Sequence, residues 1–102
     1  MKLADMLDNS AKAVKLLKAV SNERRLLIMC HLLPGELSVG EMNQKLELSQ
    51  SALSQHLALL RRHKLVKTRK VAQTVYYSIN SEEAKALIGL LYQLYCTDKP
   101  EI

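Results

Sequence analysis

Apolar residues recur along this chain at helical spacing, in blocks broken by short polar or Pro-Gly interruptions. The pattern predicts five helices and one β-hairpin, in the order helix, helix, helix, helix, strand, strand, helix. Ala11, Ala13, Val14, Leu16, Leu17, Ala19 and Val20 place a first helix at about residues 8–20, apolar on most sides, with Asp8 or Asn9 as its cap. Ser21 or Asn22 caps a second helix with Glu23 in its first turn. It carries Leu26, Leu27, Ile28, Met29, Leu32 and Leu33, and Pro34-Gly35 stops it. Ser38-Val39-Gly40-Glu41 reads as a capping box, opening a short third helix that ends near Leu46. After a tight link at Glu47-Leu48, Ser49 caps a fourth helix, and Leu48 is placed to staple onto Leu53. Leu53, Leu57 and Leu60 form one buried stripe, with Gln50, Ser51, Ser54, Gln55 and Ala58 on the other side. Residues 65–70 and 74–79 are rich in β-branched or aromatic side chains and predict a hairpin around Val71-Ala72-Gln73, a turn without Asn-Gly or Asp-Gly. Asn80-Ser81-Glu82-Glu83 caps a last helix running to about Cys96, with Ala84, Leu87, Ile88, Leu91, Leu94 and Tyr95 inward; residues 97–102 should fray.

The first and last helices carry more apolar surface than one small core can cover. A twofold homodimer through Val14, Leu17, Leu87, Leu91 and Leu94 is the expected solution. At 102 residues the chain makes one domain, and with no Trp and no Phe its core must be built from Leu, Ile, Val, Met and Ala. No apolar run reaches membrane-spanning length, and the start Met1-Lys2-Leu3-Ala4-Asp5 is unlike a secretory signal. The expected compartment is the cytoplasm.

Charge changes the picture. Residues 48–81 hold no Asp or Glu but carry Arg61, Arg62, Lys64, Lys67, Arg69 and Lys70, while the other nine bases and ten acids nearly cancel. A basic segment of this kind suits a polyanion, or is a solvated face with no partner. The short helix, tight link and fourth helix over residues 38–61, followed by a basic hairpin over residues 65–79, make a winged helix-turn-helix. In that reading the small outer face of the fourth helix enters the major groove of double-stranded DNA, where Gln pairs with adenine and Ser donates or accepts. The expected contacts are Gln50, Ser51, Ser54, Gln55 and His56, with Arg61, Lys67, Arg69, Lys70 and Gln73 toward the backbone and wing. No nucleophile elbow, zinc-protease helix, P-loop or dinucleotide turn is present, so an enzyme is not expected. A dimeric helical adaptor that binds protein in place of DNA is the alternative of a different class. Exposed Leu, Met or aromatic anchors on the fourth helix would mark it.

The run Leu48-Ser49-Gln50-Ser51-Ala52-Leu53-Ser54-Gln55-His56-Leu57-Ala58-Leu59-Leu60-Arg61 resembles the recognition helix of the ArsR/SmtB family of bacterial repressors. Glu36-Leu37-Ser38-Val39-Gly40-Glu41, Leu65-Val66 and Asn22-Glu23-Arg24-Arg25-Leu26 are similar to that family's third helix, first wing strand and second helix. Ser10-Ala11-Lys12-Ala13-Val14 and Leu94-Tyr95-Cys96 resemble a two-cysteine branch that regulates haemolysin, and hence virulence, genes. The resemblance implies a homodimeric DNA-binding transcriptional regulator on a pseudo-palindromic operator. The usual metal sites lack their ligands. Leu37-Ser38-Val39-Gly40 has no thiolate and residues 82–96 no His or Asp, so neither a metal nor another cofactor is expected. A metal-responsive repressor remains an alternative, as does a metal held by Cys30, His31 and Cys96. What the resemblance does imply is a redox switch of Cys30 and Cys96 answering a reactive sulfur species or oxidant. Cys30 would attack first, assisted by His31 if that ring faces it, and Cys96 would resolve. A pair of inert thiols is the plain reading of the same two residues.

Overall fold

The computed structural model describes residues 2–96. Its elements are α1 (Leu3–Val20), α2 (Glu23–Leu32), β1 (Leu37–Ser38), α3 (Val39–Leu46), α4 (Gln50–Arg62), β2 (Val66–Val71), β3 (Thr74–Ile79) and α5 (Glu82–Tyr95). The fold is mainly helical with a small antiparallel sheet. Residues 97–102, expected to fray, lie outside the described residues.

Local chemistry explains most boundaries. The Asn22 Oδ1 accepts from the backbone N–H of Arg24 and Arg25, opening α2. Ser38 and Glu41 close a reciprocal capping box on α3, Ser49 Oγ accepts from the Ala52 N–H of α4, and Ser81 Oγ accepts from the Ala84 N–H of α5. The start of α1 departs from the sequence expectation. It begins at Leu3, five residues before Asp8, and its N-cap Lys2 gives no side-chain bond. Asn9 Nδ2 donates to the Asp5 carbonyl and Ser10 Oγ to the Leu7 carbonyl. These polar side chains therefore bond backwards inside a continuing helix.

Ile28, Met29 and Leu32 of α2 sit at the centre of the core, and α2 packs against α1, α3, α4 and α5. Met42, Leu53, Leu57, Leu60, Ala84 and Ile88 close around them. The last two turns of α5 differ from expectation. Only Ala84 and Ile88 are buried, Leu87 and Leu91 are half-buried, and Leu94 and Tyr95 are exposed. The core meets α5 along its first two turns, and the helix then runs past it. On α1, Leu3, Met6, Leu7, Val14 and Leu17 fall on one exposed side while Ala13, Leu16 and Val20 face the body. The radius of gyration, 15.1 Å, exceeds the roughly 13 Å of a compact chain this size, as expected when helices project from the core.

The sheet has three strands in the order β1-β3-β2, one more than the hairpin expected. Leu37 pairs with Tyr77 and Ser38 with Tyr76. Two residues are too short to show a period-two pattern. Val71 pairs with Thr74 and belongs to the strand, so the wing loop is the two residues Ala72-Gln73, with Ala72 at φ 54°.

The end of α4 is closed by a Schellman motif. The Leu65 N–H donates to the Leu60 carbonyl and the Lys64 N–H to the Arg61 carbonyl. Leu60 and Leu65 are both buried, the apolar contact that accompanies this motif. Lys64 takes the left-handed position, φ 60°, which usually goes to glycine. The Asn80 N–H then donates to the Leu65 carbonyl at 2.8 Å, so the exit from β3 is tied to this junction.

Lys64→Gly should raise the unfolding free energy by about 1 kcal/mol. The left-handed conformation costs a side-chain-bearing residue roughly 1–2 kcal/mol, and glycine's greater unfolded entropy offsets part of the gain. The urea midpoint should rise with an unchanged slope; an unmoved midpoint would mean that the junction carries no strain.

Candidate nucleic-acid interface

The orientation of α4 follows from its buried leucines. With Leu53, Leu57 and Leu60 inward, Ser51, Gln55, Ala58 and Arg62 recur at steps of four, three and four on the opposite, exposed side, with Ser54 and Arg61 beside them. Gln50 is exposed in the first turn. The side chains of Gln50, Ser51, Ser54 and Gln55 make no hydrogen bond among the described residues, so their donors and acceptors are free. Glu47, at φ 51°, makes the sharp reversal that delivers the chain from α3 to Ser49. Arg62 belongs to the outward stripe, among the cations from Arg61 to Lys70 that the sequence reading directs to phosphates. Its spacing from Ala58 and Gln55 sets it there.

His56 is placed differently from the residues expected to act with it. It is half-buried on the flank of α4, and burial, followed by the cations of Arg25 and Arg24, holds its pKa below 6.5. Arg25 is fixed there, its Nε donating to the Ala19 carbonyl at 2.6 Å and its Nη2 to the Lys18 carbonyl at 3.4 Å.

On the wing, Lys67, Arg69 and Lys70 are exposed, and Gln73 sits in the exposed tip. Arg69 is not a free cation. Its Nε donates to Glu36 Oε2 at 3.1 Å and its Nη2 to Glu36 Oε1. Its guanidinium lies 5.0 Å from the ring centre of Tyr76, its cross-strand partner. The Arg69 hydrogen bond and charge hold the Glu36 carboxyl below its ordinary 4.5. Lys67 and Lys70 make no such pair among the described residues.

The cysteines lie on α2 and just after α5. Cys30 is half-buried, Cys96 is exposed, and both are free thiols. Burial pushes the Cys30 thiol up, and the charge of Cys96 adds to this. His31 is engaged by its own helix. Its Nδ1–H donates to the Leu27 carbonyl at 2.8 Å. Cys96 is the more exposed of the two sulfurs, whereas the sequence reading expected the better access at Cys30. Beside Cys30 an open cleft of about 620 Å³ is walled by Pro34, Glu36, Leu37, Lys45 and Tyr92. Among the described residues no three His, Cys, Asp or Glu side chains gather where a metal ion could be held.

Known proteins are similar to the chain over nearly its whole length. A family described as "Bacterial regulatory protein, arsR family" matches residues 22–68, from the cap of α2 into β2. The transcriptional activator HlyU of Vibrio cholerae is 67% identical over 96 residues, 94% of this chain and 89% of that protein. The crystal structure of the transcriptional regulator HlyU from Vibrio vulnificus superposes with a TM-score of 0.87 at 69% identity, over 94% of this chain and 100% of that one. The transcriptional repressor BigR from Xylella fastidiosa superposes with a TM-score of 0.88 at 35% identity, over 96% and 100%.

The His56 environment has a consequence for stability. The imidazole takes up its proton at lower pH in the folded chain than the ordinary 6.5 of the unfolded one, so the unfolded state binds more protons as the pH falls through 6.5. Wild type should lose stability between about pH 7.5 and pH 5.5, and His56→Gln should lose less, as measured by urea unfolding at both pH values. Glu36 and Glu41, whose carboxyls are held below 4.5, contribute to acid loss only below that window. Equal losses in the two proteins would assign the effect to other groups.

Proposed function

The chain belongs to the arsR family of bacterial regulatory proteins and is a transcription regulator, and on that premise we propose that it binds a pseudo-palindromic DNA site as a homodimer whose affinity is set by the oxidation state of Cys30 and Cys96. Virulence genes of the haemolysin type are its proposed targets, in keeping with the resemblance in the sequence. The observation that carries DNA reading is the outer face of α4, where Gln50, Ser51, Ser54 and Gln55 have no internal partner and Ala58 permits close approach. Glutamine is suited to adenine edges, and the serines to either groove partner. Arg61, Arg62, Lys67 and Lys70 meet phosphates, which orient the protein without reading sequence. HlyU is named an activator and BigR a repressor, so both signs of regulation occur among the relatives.

The dimer uses the exposed stripe of α1, with Val14 and Leu17, together with Leu87, Leu91 and Leu94 of α5; Leu3, Met6 and Leu7 extend it. In the switch, the exposed Cys96 thiolate takes the outer sulfur of a persulfide, RSSH, and releases RS⁻. The Cys30 thiolate then attacks Cys96 Sγ, forming the Cys30–Cys96 disulfide and expelling hydrosulfide. Two thiols are oxidised, and the persulfide is reduced to RSH and hydrogen sulfide. The disulfide ties α5, which carries dimer surface, to α2, and so changes the spacing of the two α4 helices.

Duplexes selected from a random pool, titrated against unselected duplex, test the reading. Gln55→Ala should weaken selected DNA by about 1–3 kcal/mol and leave unselected DNA nearly unchanged. Leu94→Lys should abolish binding to both half-sites together and sediment as a monomer. Loss of equal size on both DNAs for Gln55→Ala would move that residue to the backbone.

For the thiols, polysulfide should weaken DNA binding of wild type, with an intraprotomer Cys30–Cys96 link visible by mass spectrometry. Cys30→Ser and Cys96→Ser should each keep their affinity. An undiminished response in both variants would make the cysteines structural.

A further inference from the structure

The Glu36–Arg69 pair is the only ion pair among the described residues, and it joins the turn between α2 and β1 to the wing. No acid occurs anywhere in residues 48–81, so the carboxylate that reaches the wing comes from 33 residues away in sequence. It engages the guanidinium through two nitrogens, while Tyr76 covers the guanidinium face. A phosphate offers the same two-oxygen fork to the same two nitrogens. Both side chains are accessible, Arg69 at 58% and Glu36 at 37%, so duplex DNA can reach the pair without unfolding anything.

We propose that Glu36 is an internal competitor for the wing arginine: its carboxylate holds on Arg69 the place that a DNA phosphate takes in the complex. The inference rests on the reading that the wing meets duplex DNA. Binding then exchanges one anion for another on Arg69. The freed Glu36 gathers a counterion as the phosphate loses one, so Arg69 adds little net affinity and little salt dependence. Glu36 thereby lowers affinity for every sequence alike and leaves discrimination to α4. It also walls the open cleft that Cys30 lines.

The test titrates random duplex over a salt series with wild type, Glu36→Gln, Arg69→Gln and the double variant. Glu36→Gln should bind about three- to tenfold more tightly, with a slope of log affinity against log salt steeper by about one. Arg69→Gln should change wild-type affinity little, and the double variant should match Arg69→Gln. Weaker binding or a flatter slope in Glu36→Gln would overturn the proposal, because Glu36 would then be presenting Arg69 to DNA. A gain that persists in the double variant would also overturn it, as general repulsion between a carboxylate and DNA. Unchanged binding in Glu36→Gln overturns the competition alone, since wild type still binds; failure of wild type to bind any duplex overturns the regulator reading with it.

Discussion

Leu53, Leu57 and Leu60 are buried to within 2% of full enclosure, and that enclosure fixes the rotation of α4 about its axis. Truncating a buried leucine costs about 2–5 kcal/mol in a domain whose whole stability is about 5–15 kcal/mol, so three of them leave the helix one way to sit. At 100° per residue every other position on α4 is then decided. The polar outer face is a consequence of the apolar inner one. Ser49 at one end and the Schellman closure at the other hold the helix in length as well as in rotation.

The count of cations overstates the charge that is free to act. Of the six bases in residues 48–81, Arg69 is already engaged by Glu36 and Tyr76. Arg25, outside that segment, spends its guanidinium on the carbonyls of Ala19 and Lys18, and there it depresses His56. What remains for a polyanion is a narrower set on α4 and the wing. The separation matches the division of labour expected of such a protein, with sequence read on one element and the backbone held by others.

Much of this was legible in the sequence. Asn22, Ser38, Ser49 and Ser81 all cap where their positions suggest, because capping is a contact between near neighbours in the chain. The leucine stripe of α4 was legible for the same reason: periodicity is local. The start of α1 was not, since Asp8 and Asn9 look like a cap yet lie inside the helix, where Asn9 donates back to the Asp5 carbonyl. Strand β1 was hidden because its partners in β3 are about forty residues away and two residues hold no pattern. Glu36 was invisible as the partner of Arg69, and the raised thiol of Cys30 could not be read from Met29 and His31. For β1, Glu36 and Cys30 the deciding neighbour comes from another element.

The junction at Lys64-Leu65 makes α4 a lever. Its 13 residues span roughly 20 Å, so a tilt of about 5° about that junction moves the Ser49 end by about 1.7 Å. A base-edge hydrogen bond at about 2.9 Å is lost by such a shift. The fulcrum is bolted to the rest of the molecule through Asn80, whose N–H holds the Leu65 carbonyl and whose side chain reaches the Lys64 carbonyl at 3.5 Å. Asn80 is the residue before Ser81, the cap of α5. Asn80 therefore joins the cap of α5 to the short arm of the lever, whose far end carries Gln50 and Ser51.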